Sequence, residues 1–105
     1  MRSCSVAKID YYLETALKQG ASDLHFVSGD PVRARIHGTL QILLEEAVTT
    51  EVVQEALFEI MDGITQRAFE KDEAADFAYD IPNVSRFRVN AFRHLNGIGA
   101  IFRAI

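Results

Sequence analysis

The sequence predicts an α+β domain: an antiparallel sheet of about six strands with helices packed on it, in the order α-β-β-β-α-α-β-β-β. Three observations carry this. Apolar residues recur at helical spacing near residues 9–19, 51–61 and 64–71, and alternate with polar ones in several shorter stretches. Turn residues separate neighbouring strand candidates closely enough for hairpins. Helices and strands come in blocks instead of alternating one by one, which argues against a doubly wound parallel sheet.

In chain order, Ile9, Tyr12, Leu13, Ala16 and Leu17 share one helical face, and Gly20 suits a left-handed C-terminal cap. Leu24-His25-Phe26 reads as a short strand, followed by turn chemistry at Gly29-Asp30-Pro31. Val32, Ala34 and Ile36 then alternate with Arg33, Arg35 and His37, as in a half-buried strand. Gly38 marks a tight turn into a third strand over 40–43. Thr49 or Thr50 can cap the next helix, and Glu51 is favourable in its first turn. Val52, Val53, Ala56, Leu57, Ile60 and Met61 form the buried face of that helix, and Gly63 is expected to end it. Ile64, Ala68 and Phe69 mark a shorter helix over 64–71. Strand candidates follow near 76–79, 86–92 and 100–105. Pro82 and Asn83 separate the first two, and the hairpin dipeptide Asn96-Gly97 separates the last two.

A length of 105 residues with 49% apolar composition fits one compact domain with one core. No apolar run approaches the roughly 20 residues of a membrane-spanning helix. The N-terminal stretch lacks the continuous apolar segment of a signal peptide, so a cytoplasmic location is expected. Cys4 is the single cysteine and has no base near it in sequence; it reads as an unconstrained residue of the N-terminus, not a catalytic thiol. The net charge of −4 conceals an asymmetry. Residues 1–80 hold all 15 acids and seven basic residues, giving −8, whereas residues 81–105 hold four arginines and no acid, giving +4. That terminal stretch is where an anion would be welcome.

A two-residue turn at Asn96-Gly97 sets a register in which opposed residues have numbers summing to 193. Asn90 then faces Arg103, and Phe92 faces Ile101. Arg86, Arg88, Asn90 and Arg103 share one face, while Phe87, Val89, Ala91, Ala100, Phe102 and Ala104 share the other, which is a core face. Opposed like charges destabilise a sheet by some tenths of a kcal/mol to about 1 kcal/mol. Two remedies stand side by side. A phosphate-like anion could be held bidentately by the planar guanidinium forks. Alternatively, acids from elsewhere, such as Asp76 or Asp80, could pair with the arginines on a solvated face.

Other candidates are weaker. Asp23 and His25 share a strand face, but a hydrogen-bonding role fits better than an acid–base pair. His25, His37 and His94 lack metal-ligand spacing, so no metal site is expected. Gly97-x-Gly99 is followed by no helix and is not a phosphate cradle. Glu70, Asp72, Glu73, Asp76 and Asp80 lack the EF-hand order and read as a solvated or subunit-contacting acidic edge. The acidic balance and the sparse aromatic interleaving argue against nucleic acid.

Four segments carry a family resemblance: Lys18-Gln19-Gly20-Ala21-Ser22-Asp23-Leu24-His25; 31–38; 76–84; and Ser85-Arg86-Phe87-Arg88-Val89-Asn90-Ala91-Phe92 through Gly99-Ala100-Ile101-Phe102-Arg103-Ala104-Ile105. Together they resemble the PAS-like N-terminal domain of type IV pilus retraction (twitching motility, PilT-type) ATPases over about residues 9–105. The family has an amide residue soon after the Asn90-Ala91-Phe92 segment, where this sequence reads Arg93-His94. The resemblance implies a single PAS-like domain over 1–105, with the RecA-like ATPase domain not contained in this chain. In keeping with this, no G-x-x-x-x-G-K-[ST] loop is present. It further implies a hexamer, ATP and Mg²⁺ in the full-length protein but not bound to this domain alone, and contact with an inner-membrane pilus platform protein. Arg88 and Arg103 match the family positions that reach the nucleotide's terminal phosphate, with Arg86 and Asn90 as supporting neighbours. No catalytic residue is expected in the chain itself. The alternatives are a free-standing PAS-like ligand or signalling domain, and the matching domain of a type II secretion or pilus assembly ATPase.

Overall fold

The computed structural model describes residues 8–94 and 97–105. Cys4 and Asn96 lie outside them. Three helices and six strands follow the expected order: α1 (Lys8–Lys18), β1 (Ala21–Val27), β2 (Pro31–Ile36), β3 (Thr39–Ala47), α2 (Thr50–Ile60), α3 (Gly63–Asp72), β4 (Ala74–Ile81), β5 (Ser85–His94) and β6 (Gly97–Ala104).

Local chemistry sets most boundaries. Gly20, at φ +82°, follows α1 and donates its N–H to Leu17 O at 2.9 Å, as a left-handed cap should. His37 and Gly38 both have positive φ, the requirement of a two-residue type I′ hairpin, and Ile36 pairs with Thr39 across them. His37 is therefore a turn residue and not the last residue of β2. Thr49 caps α2 by accepting the Val52 N–H at 3.2 Å. The end of α2 differs from expectation. The helix stops at Ile60, Met61 is extended and buried, and Asp62 caps α3 by accepting the Thr65 N–H at 2.7 Å. Gly63 opens α3 instead of closing α2, because the capping carboxylate one residue earlier satisfies the orphan donors of a new helix.

The sheet runs β3-β2-β1-β6-β5-β4 with every neighbouring pair antiparallel. It consists of two three-stranded meanders joined at its centre by β1 and β6. The segment α2–α3 carries the chain from one edge strand to the other. All three helices contribute to a single core on one sheet face. Ile9, Leu13 and Ala16 come from α1, Val53, Ala56 and Leu57 from α2, and Phe69 from α3. They meet Leu24, Phe26, Val32, Ala34, Phe87, Val89 and Phe102 from the sheet. A half-buried Tyr79 on β4 donates its hydroxyl to the carboxylate of Asp10, a buried acid on α1, and so ties the edge strand to the helix layer. No described helix is long and apolar enough to cross a membrane.

Candidate functional site

The alternation that places apolar residues in the core places Arg86, Arg88, Asn90 and Arg103 together on the opposite, open face. The register differs from the expected one by two residues. His94 pairs with Gly97, and opposed numbers sum to 191 along the whole β5–β6 ladder. Gly97, at φ +131°, is not a turn residue but already the first residue of β6. Asn90 faces Ile101, Phe92 faces Gly99, and Arg88 directly faces Arg103. An even slip leaves every side chain on its predicted face. It also brings the two arginines closer than expected.

Each guanidinium has a carboxylate partner from a flanking strand. On β4, Asp76 accepts from Arg88 Nη2 at 2.8 Å and Nε at 3.3 Å, a bidentate pair. On β1, Asp23 lies 3.5 Å from Arg103 Nε and 3.6 Å from Arg35 Nε. Arg86 Nε lies 3.6 Å from Asp80. The side chains of Arg88 and Arg103 are 70% and 69% exposed, whereas Asp23 is only 11% exposed beneath its two arginines. A half-open concavity of about 290 Å³ lies over this ladder, lined by Asp76, Arg88, Asn90, Ile101 and Arg103.

The electrostatics follow the contacts. The Arg88 hydrogen bond, together with its charge, holds the Asp76 carboxyl below its ordinary value, and Asp76 raises Arg88 in return. His25 lies across from Arg33 on one side and Ile101 on the other. Burial lowers its pKa, Asp23 opposes that shift, and Arg35 and Arg33 add to it. Neutral imidazole is therefore favoured among these guanidiniums.

Arg93 lies on the other face. It stacks over Phe69 at 5.3 Å, and its Nε is 3.5 Å from Glu73. Gly97 and Gly99 are strand residues, and a Cβ at Gly97 would meet Thr50 Oγ1 at 2.6 Å, so tight packing against α2 explains that glycine.

Asp23 was the partner missed by sequence reasoning. Its alternation with His25 put the two on one strand face, but only the adjacency of β1 and β6 brings Asp23 to Arg103. No local signal encodes that adjacency. Asp76 and Asp80 were visible as candidate acids, and the β4–β5 register pairs Asp76 with Asn90 and Asp80 with Arg86.

No protein-family model matches the chain. Over 93 residues, 89% of its length, it is 38% identical to the type IV pilus retraction ATPase PilT of Pseudomonas aeruginosa. Over 103 residues, 98% of its length, it is 29% identical to a twitching motility protein of Neisseria gonorrhoeae. The fold superposes on the crystal structure of the pilus retraction motor PilT with bound ADP with a TM-score of 0.83, at 25% identity and over 95% of this chain. The chain is homologous to the N-terminal domain of PilT-type ATPases. It spans 27% of the Pseudomonas protein, 28% of the Neisseria protein and 29% of the crystallised PilT chain.

Proposed function

We propose that the chain is the N-terminal, PAS-like domain of a hexameric type IV pilus retraction ATPase that drives twitching motility. Nucleotide hydrolysis, with Mg²⁺, belongs to a RecA-like domain outside these 105 residues. This domain then contributes subunit contacts and positive charge at the terminal phosphate of ATP. It works in the cytoplasm at the inner-membrane base of the pilus, against neighbouring subunits and a platform protein.

The observation that carries the site reading is the directly opposed pair Arg88 and Arg103 on the uncovered face, beside a concavity they line with Asn90. Arg86 supports them at the next position of the same face. Guanidinium groups positioned against a transferring phosphate are worth about 10³–10⁵ in rate in arginine-finger systems. A domain that closes over the nucleotide also gates the cycle, so a smaller effect is expected here. A structural reading is favoured by one specific observation: every one of these arginines already has a carboxylate partner.

ATP turnover and melting temperature of the full-length motor separate the two readings. Arg88→Ala and Arg103→Ala should each lower turnover by roughly tenfold or more at nearly unchanged melting temperature. Lysine should rescue only in part, because a point charge lacks the bidentate fork. Normal turnover in both alanine variants rejects the phosphate role. Lost turnover that appears only with a large drop in melting temperature assigns the arginines to structure.

A further inference from the structure

We propose that Asp76 is a competing anion built into the phosphate site, a latch that occupies Arg88 until phosphate displaces it. The inference rests on the phosphate reading of Arg88 and Arg103 given above.

Sheet order supplies the first argument. Arg88 and Arg103 face each other across the β5–β6 boundary, yet their acids sit on the two outer neighbours, β4 and β1. The two guanidiniums are therefore held towards opposite flanks, and the concavity lies over the ladder between those flanks. Like charges opposed on neighbouring strands repel, and partners on the far sides relieve that repulsion. A phosphate between them would relieve it too, but from the middle.

The second argument is donor chemistry. Carboxylate and phosphate both seek the bidentate fork of arginine. Asp76 already takes the Nε–Nη2 edge of Arg88, and it also lines the concavity, where its negative charge meets any incoming anion. Asp76 thus opposes phosphate twice, by occupying donors and by direct repulsion.

Exposure supplies the third. The Arg88–Asp76 pair is 70% and 50% exposed, so it is weakly held and Asp76 can be rehydrated on release. Asp23 is different. It is largely buried and shared, so it keeps Arg35 when Arg103 moves away. Neither acid is stranded without a partner or water when the arginines turn inward.

Tripolyphosphate binding to the chain, read by calorimetry at low salt and neutral pH, tests the latch. Asp76→Asn should bind about fivefold tighter than the unsubstituted chain, the effect of removing one nearby solvent-exposed charge. Adding Arg88→Ala to Asp76→Asn should abolish that gain. Asp80→Asn removes the same charge from the same face but frees Arg86 outside the concavity, and it should change binding less than twofold. Thermal melts close to that of the unsubstituted chain confirm that each variant is folded. Unchanged or weaker binding by Asp76→Asn, with Arg88→Ala still weakening binding, overturns the latch and leaves the phosphate site standing. Equal tightening by Asp80→Asn also overturns it, in favour of general charge. Binding that neither Arg88→Ala nor Arg103→Ala affects overturns the phosphate reading and the latch with it. No binding at all, by Asp76→Asn as by the unsubstituted chain, overturns the latch and leaves the phosphate reading to the turnover of the full-length motor.

Discussion

The two faces of the sheet come from one alternating sequence and are held by different physics. On the covered face, Phe26, Phe69, Phe102 and Leu57 are fully buried and gain from every contact removed from water. On the open face, the ion pairs Arg86–Asp80 and Arg88–Asp76 join side chains that are half or more exposed. Exposed pairs of this kind contribute between nothing and about 1 kcal/mol. Stability is therefore concentrated on one side of the layer. The other side can exchange its partners without endangering the fold, which the proposed phosphate role requires.

The contrast is broken most directly in the core. Phe102→Ala should destabilise the chain by about 3–5 kcal/mol, through lost transfer energy plus the cavity left between sheet and helices. Arg103→Ala, one residue along the same strand but on the other face, should cost less than about 1 kcal/mol. Urea unfolding of the two variants in parallel gives the comparison, and similar losses in both would abolish the division of labour between faces.

The bond from Tyr79 to Asp10 sharpens the contrast, because it is a polar contact that works like a core contact. Burial raises the Tyr79 phenol above its ordinary 10.0, and the hydrogen bond and charge of Asp10 add to this. Tyr79→Phe removes a donor to a buried carboxylate and should cost about 1–3 kcal/mol, well above any open-face arginine. The sign with pH follows from the raised value. The stabilisation is complete below the unfolded tyrosine's range and is lost as pH rises through the folded one. The phenylalanine variant should therefore lose less stability at alkaline pH than the parent. A melting series that falls in parallel for both proteins would remove Asp10–Tyr79 from the account.

Much of this was legible in the sequence because it is written in local patterns. Alternation gave β2 and β5 their inner and outer faces, and the turn residues around Gly38 and Pro82 placed the hairpins. The arginine cluster was legible for the same reason, since parity along a strand does not depend on exact register. What stayed hidden depends on distant parts of the chain or on fine hairpin geometry. The β5–β6 register missed by two residues, so the Arg88–Arg103 opposition was not foreseen. Gly63 looked like a helix stop, and only the Asp62 side chain shows that it is a helix start. The joining of β1 to β6 brings Asp23 under Arg103, and the path of α1 over the sheet brings Asp10 to Tyr79. Neither follows from a window of neighbouring residues.

The smallest expected effect concerns the open face alone. Arg88 holds the Asp76 carboxyl below its ordinary 3.8, chiefly by donating hydrogen bonds to it and secondarily by its charge. A depressed carboxylate stabilises the fold above its unfolded pKa, and that contribution disappears as pH falls through the folded value. Because the pair is exposed, its disappearance should barely register in a melting curve. It should be plain in the carboxyl carbon shift of Asp76 followed by NMR through acid pH. In the parent chain the midpoint should lie below 3.8, and in Arg88→Ala it should return towards that value. Asp62 gives the internal comparison. Its carboxyl is also depressed, but chiefly by the Thr65 backbone N–H at the start of α3, so Arg88→Ala should leave its midpoint unmoved. An Asp76 midpoint equal in both proteins would mean that the bidentate pair is absent in solution. The open face would then be a set of independently solvated charges, with nothing for an incoming phosphate to displace.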